Sequence, residues 1–148
     1  MSNINELYQE VIIDHGRHPR NAGVLEGATH QKEGYNPLCG DKITVYCRVE
    51  NHRVKEMRFV GCGCAISLAS SSLMSQAIQG KTETEINELF HLFRAMIMSE
   101  KDVAIESMGK LSVLEGVKMY PSRVKCALLG WYTLLAALNN VQEEVTTE

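Results

Sequence analysis

Ile43-Thr44-Val45-Tyr46-Cys47-Arg48-Val49, the polar link Glu50-Asn51-His52-Arg53, and Val54-Lys55-Glu56-Met57-Arg58-Phe59-Val60 form the stretch from which the fold is read. In its first part apolar and polar residues alternate. Ile43, Val45, Cys47 and Val49 share one face and Thr44, Tyr46 and Arg48 the other, the pattern of a half-buried strand. The polar turn around Asn51 and His52, followed by a second extended run from Val54 to Val60, predicts an antiparallel hairpin. Gly61 and Gly63 then punctuate the chain and the period changes: Ile66, Ala69, Leu73 and Ala77 predict a helix that Gly80 ends.

Downstream, Thr82-x-x-Glu85 is a capping box for a helix with the apolar stripe Ile86, Leu89, Phe90, Phe93 and Ile97. Ser112-x-x-Glu115 predicts a short further helical piece. Pro121 suits the first turn of a last helix with the stripe Val124, Ala127, Leu128, Trp131, Leu135 and Leu138. Upstream, Ile4, Leu7, Tyr8, Val11 and Ile12 predict a first helix of about twelve residues, opened by an Asn3–Glu6 capping pair. Gly16 and Pro19 are expected to end it. The basic loop from His15 to Asn21 reads either as a solvated connection or as a docking patch for an acidic surface. The polar tail after Asn140 is expected to fray. Without repeats or linkers, strands followed by helices predict an α+β fold, a single domain over 1–148.

The composition fits that reading. The 148 residues are 45% apolar and 22% charged, far from disordered or fibrous compositions. Fifteen basic against eighteen acidic residues give a net charge of -3, the wrong sign for binding DNA or RNA. No apolar run approaches the ~20 residues of a membrane span. The opening MSNINELYQE lacks the build of a signal peptide, so a cytoplasmic location is expected. Five cysteines in such a compartment point to metal binding or thiol chemistry rather than disulfides, with inert buried cysteine as the alternative.

Three of the cysteines stand at element boundaries. Cys39 lies in the turn-forming Asn36-Pro37-Leu38-Cys39-Gly40-Asp41, Cys64 immediately precedes one helix, and Cys126 lies in the first turns of another. Helix N-termini favour a thiolate over a thiol. Cys47 falls on the apolar face of its strand and is expected to be core. In Cys62-Gly63-Cys64 either sulfur is a candidate ligand. Asp41 reads equally as an oxygen ligand or as an acceptor for backbone amides. If Cys39, Asp41, Cys64 and Cys126 converge, they make a four-donor site suited to Zn(II). Its net charge of -2 would be offset by Arg123 and Lys125.

Asn36-Pro37-x-Cys39-Gly40-Asp41, Gly61-x-Gly63-Cys64-x-Ile66-Ser67-x-Ala69-Ser70 and Arg123-Val124-Lys125-Cys126-Ala127 resemble the SufU branch of the IscU/NifU-type scaffold family, and His18-Pro19-Arg20-Asn21 fits as well. The resemblance implies a small antiparallel three-stranded sheet packed by helices on one side, and a role in iron-sulfur cluster assembly. It further implies a zinc-bearing sulfur acceptor for a cysteine desulfurase, a partner in sulfur transfer rather than a stand-alone enzyme, with downstream assembly or recipient proteins. Carried over residue by residue, the zinc ligands fall on Cys39, Asp41, Cys64 and Cys126, and Cys39 is the thiol that receives persulfide sulfur. Cys62 departs from the motif, which leaves it a role in resolving persulfide or in ligand exchange. Lys125 stands where the IscU branch has a metal-ligating histidine, and the segment between the second and third motif cysteines is longer than in IscU. Both departures favour sulfur transfer. The alternative is a scaffold on which a transient 2Fe–2S cluster is assembled and passed on.

Overall fold

A computed structural model describes the backbone of residues 2–98 and 105–147, and the side chains of residues 8–98 and 108–147. The elements run α1 (Ser2–Arg17), β1 (His30–Asn36), β2 (Asp41–Glu50), β3 (Arg53–Cys62), α2 (Ala65–Ile78), α3 (Glu83–Met98), a 3-10 segment (Ile105–Met119), α4 (Pro121–Leu138) and β4 (Val145–Thr146). The side chains of the expected Asn3–Glu6 capping pair, and those of Ile4 and Leu7, lie outside that description.

The hairpin forms as its pattern dictates. In β2, Asp41, Ile43, Val45 and Cys47 are fully buried, while Lys42, Thr44, Tyr46 and Arg48 face outward. Asn51 and Asn51's neighbour His52 both adopt positive φ, +54° and +62°, the paired left-handed conformation of a two-residue hairpin turn. A register shift between Arg48 and Val49 rotates the strand, and Val49, expected on the buried face, is only half-buried. The sheet order is β3-β2-β1-β4. Three long strands are antiparallel, and β4 adds a short parallel pairing of Val145 and Thr146 with Gly34 and Tyr35. The C-terminal segment is therefore not frayed over those residues, and Thr147 is buried.

Helices cover the buried face of the sheet. α4 lies across β1 and β2, and α2 lies against β3 and α1. Gly34 of β1 passes so close under α4 that a Cβ there would collide with Thr133. The aromatic centre is Trp131, stacked on Phe93 at 5.0 Å and tilted against Phe90 at 6.1 Å. The Thr82–Glu85 box closes reciprocally: the Thr82 amide donates to Glu85 Oε1 at 2.8 Å and the Glu85 amide to Thr82 Oγ1 at 3.2 Å. The expected helical piece near Ser112 lies within the 3-10 segment, which kinks at Gly109 with φ +57°.

Helix α1 corrects one expectation. It continues through Gly16 to Arg17 because packing against α2 outweighs glycine's low propensity: a Cβ on Gly16 would press on Ala65 at 3.3 Å. The basic loop that follows is tied down. Arg20 pairs with Asp14 at 2.6 Å, its amide donates to Ser72 Oγ at 2.8 Å, and Asn21 Nδ2 donates to Ser75 Oγ at 3.0 Å. His15 is buried with Nδ1 2.7 Å from Ser72 Oγ.

Burial holds His15 below its ordinary pKa of 6.5; Arg20 and Lys110 add to the depression and Asp14 opposes it. The folded state thus binds the proton more weakly than the unfolded chain, so this contribution to stability is full above pH 6.5 and is lost as pH falls below it. Urea midpoints measured between neutral pH and pH 5 should fall for the native chain, and His15→Gln should flatten that fall.

Candidate metal centre

Three segments meet at one end of the sheet. The turn between β1 and β2 carries Cys39, Asp41 begins β2, Cys64 occupies the position just before α2, and Cys126 sits in the second turn of α4. Donor atoms of Cys39, Asp41 and Cys126 all lie within 4.8 Å of one another. Cys39 Sγ and Cys126 Sγ are 3.3 Å apart, and Cys64 Sγ lies 3.7 Å from Asp41 Oδ2. All five cysteines are free thiols.

Asp41 organises the cluster. Its Oδ1 accepts the Cys64 amide at 2.7 Å, which leaves Oδ2 turned towards the sulfurs. Gly63 makes this contact possible. It has φ +140°, and a Cβ there would collide with the Asp41 carboxylate. Sequence reasoning assigned no role to Asn36, yet its buried amide contacts both Asp41 Oδ2 at 3.3 Å and Cys126 Sγ at 3.5 Å. The signal available was Asn-Pro, a turn-initiating pair directly before the Cys39 loop.

The thiols differ in access. Cys126 and Asp41 are 0% exposed, whereas Cys39 is half-buried in a turn flanked by Leu38 at 63% exposure. Cys64 is also half-buried. Cys62 stands apart: it pairs in register with outward-facing Lys42, so it occupies the face of the sheet opposite Asp41. Cys47 is core, and burial pushes its thiol up to about 12.

Electrostatics qualify the expectation that a helix N-terminus makes a thiolate. The Cys126 thiol is held well above its ordinary range, first by burial and then by hydrogen bonding with Asp41, Cys39 and Cys64. Soft sulfur donors and one carboxylate crowd together at a point where the protein alone resists charge, and a divalent cation is the group that fits such a set. Arg123 is held more firmly in its charged form, first by Cys64, then by Cys126 and Cys39. Lys125, expected as a second counter-charge, lines a groove with Ile97, Val124 and Leu128.

Residues 7–142 match the model of the NifU-like N terminal domain. The chain belongs to that family. Over 134 residues this NifU-like domain is 39% identical to the zinc-dependent sulfurtransferase SufU of Bacillus subtilis strain 168, covering 90% of each chain. It is 35% identical over 138 residues to the iron-sulfur cluster assembly scaffold protein IscU of Streptococcus pyogenes serotype M1, covering 93% of this chain and 86% of the relative. Among solved structures, it is similar to a candidate iron-sulfur cluster assembly scaffold for the SUF system from Fervidobacterium islandicum AW-1, at 36% identity and a TM-score of 0.83. That match covers 90% of this chain and 98% of the other. The family read from the three cysteine motifs is thus the family the comparisons return. No helix among the described residues is long and apolar enough to cross a membrane.

Proposed function

We propose that this NifU-like domain acts in iron-sulfur cluster assembly as a zinc-dependent sulfur acceptor, taking persulfide sulfur from a cysteine desulfurase on Cys39. The observation that carries the reading is the asymmetry of the cluster: Cys39, on an exposed turn, touches Cys126 in the interior, while Asp41 holds Cys64 alongside. Cys39, Asp41, Cys64 and Cys126 would hold the ion. Zinc there would supply charge that keeps the thiols deprotonated, with no redox chemistry of its own.

The transfer itself is thiol exchange. Freed from the donor set as the desulfurase docks, the Cys39 thiolate attacks the outer sulfur of the desulfurase persulfide; an S–S bond forms on Cys39, the partner's S–S bond breaks, and the electron pair leaves on the partner's cysteine thiolate. The outer sulfur keeps its proton, and no external oxidant or reductant is needed. Arg123, exposed beside the three sulfurs, stabilises the thiolate charge during the approach. The product persulfide then passes to downstream assembly or recipient proteins.

A second reading is supported by the relatives named as scaffolds: the same thiols would hold a transient 2Fe–2S cluster. Metal analysis of freshly purified protein, followed by anaerobic reconstitution with iron and sulfide, separates the two. Stoichiometric zinc that persists with no visible absorption is the expected result. Displacement of zinc by stoichiometric iron, with stable cluster absorption, would overturn sulfur transfer in favour of the scaffold.

A further inference from the structure

We propose that Asn36 is the positioning residue of this centre, an amide that fixes the relative placement of Asp41 and Cys126 before any ion arrives; the inference rests on the zinc reading above. Asn36 ends β1, pairs in register with Asp41, and is fully buried. A carboxamide offers two N–H donors and one carbonyl acceptor. Here Oδ1 accepts the Leu38 amide at 3.2 Å, closing the turn over Pro37 that presents Cys39. On the other side Nδ2 faces Asp41 Oδ2 at 3.3 Å and Cys126 Sγ at 3.5 Å.

One side chain thereby ties the Cys39 turn to a donor from β2 and a donor from α4. Asp41 needs this second restraint, because its Oδ1 is already engaged by the Cys64 amide and only Oδ2 is left to be aimed. On Cys126 the amide acts alongside the contacts of Sγ with Cys39 Sγ at 3.3 Å and the Ser122 carbonyl at 3.7 Å. The hydrogen bond donated to Cys126 Sγ draws on the lone pairs of that interior sulfur, while Cys39 receives none from Asn36.

Two substitutions separate the two halves of the amide. Asn36→Asp keeps an oxygen for the Leu38 amide and removes the donors; Asn36→Leu removes both at similar volume. Zinc affinity is measured by competition with a chromophoric chelator, and melting temperature is measured with and without zinc. Both variants should bind zinc about 10 to 100 times more weakly, the usual effect of losing a partner behind a metal ligand. Their zinc-induced rise in melting temperature should shrink; the metal-free value of Asn36→Asp should also fall, because its added carboxylate faces that of Asp41 in the interior. A purely structural role would lower the metal-free value and leave the zinc-induced rise intact, which overturns the proposal. Native affinity in Asn36→Asp overturns the donor role, even where Asn36→Leu is weakened or fails to fold. A native chain that takes up no zinc overturns the zinc reading itself, and Asn36's role with it.

Discussion

Cys39→Ala is expected to bring sulfur acceptance from a cysteine desulfurase down to background while the chain stays folded. The nucleophile is a thiolate, and alanine offers none. The fold tolerates the change because Cys39 occupies a half-buried position in an exposed turn, outside the hydrophobic core. Asp41, Cys64 and Cys126 remain to hold some zinc, so metal content should fall without vanishing. Two further substitutions locate the effect. Cys62→Ala should accept sulfur at the native rate, because Cys62 faces away from the cluster. Cys126→Ala should lose acceptance together with stability, because it hollows a fully buried site. Incubation with a cysteine desulfurase and radiolabelled cysteine, then counting of protein-bound persulfide, reads all three. Persulfide accumulating on Cys39→Ala at the native rate would move the acceptor to Cys64, the other half-buried thiol of the group.

The hairpin and the last three helices were legible because each carries its own pattern. Alternation gives β2, a two-residue polar turn fixes the register with β3, and a capping box starts α3. Strand β1 was not legible from its residues. His30-Gln31-Lys32-Glu33-Gly34-Tyr35-Asn36 carries no apolar alternation, and its burial comes from Thr133 and Leu129 of α4 pressing on Gly34. Only the family resemblance implied a third strand, and the short parallel β4 went unread because its two residues gain their order from β1. Gly16 misled for a related reason. Its helix-breaking tendency of about 1 kcal/mol is outweighed by the close contact it permits with Ala65. At the site, residue types pointed to Cys39, Asp41 and Cys126 and left Cys62 and Cys64 open, the resemblance selecting Cys64; the structure gathers the donor atoms of Cys39, Asp41 and Cys126 within 4.8 Å of one another and sets Cys64 Sγ 3.7 Å from Asp41 Oδ2. What spacing could not convey was the role of Asn36 and Gly63, which touch the cluster from positions that look like ordinary turn residues.

Chelation of zinc should lower the melting temperature markedly yet leave a folded protein. The reasoning starts from where the core is. Trp131, Phe93, Leu114 and Ile43 pack among helices and sheet without help from the cysteine cluster, so the domain has its own hydrophobic stability. This differs from zinc fingers, where ~10 to 16 kcal/mol of metal binding is the folding energy itself. An ion at this centre instead ties together segments far apart in sequence, Asp41 to Cys64 over 23 residues and Cys39 to Cys126 over 87. Its charge would also oppose the burial, and then the hydrogen bonds with Asp41, Cys39 and Cys64, that hold the Cys126 thiol in its neutral form. Binding to the folded state alone, at free zinc a thousandfold above Kd, contributes about 4 kcal/mol. For a chain of 148 residues that corresponds to a rise of roughly 8 to 16 °C. Calorimetry of chelated and zinc-loaded protein measures it directly, and the rise should shrink on Asp41→Ala, which removes both the oxygen donor and the anchor of the Cys64 amide. A melting temperature that ignores zinc would mean that the sulfurs do not close around the ion, and the zinc-dependent reading would have no physical basis.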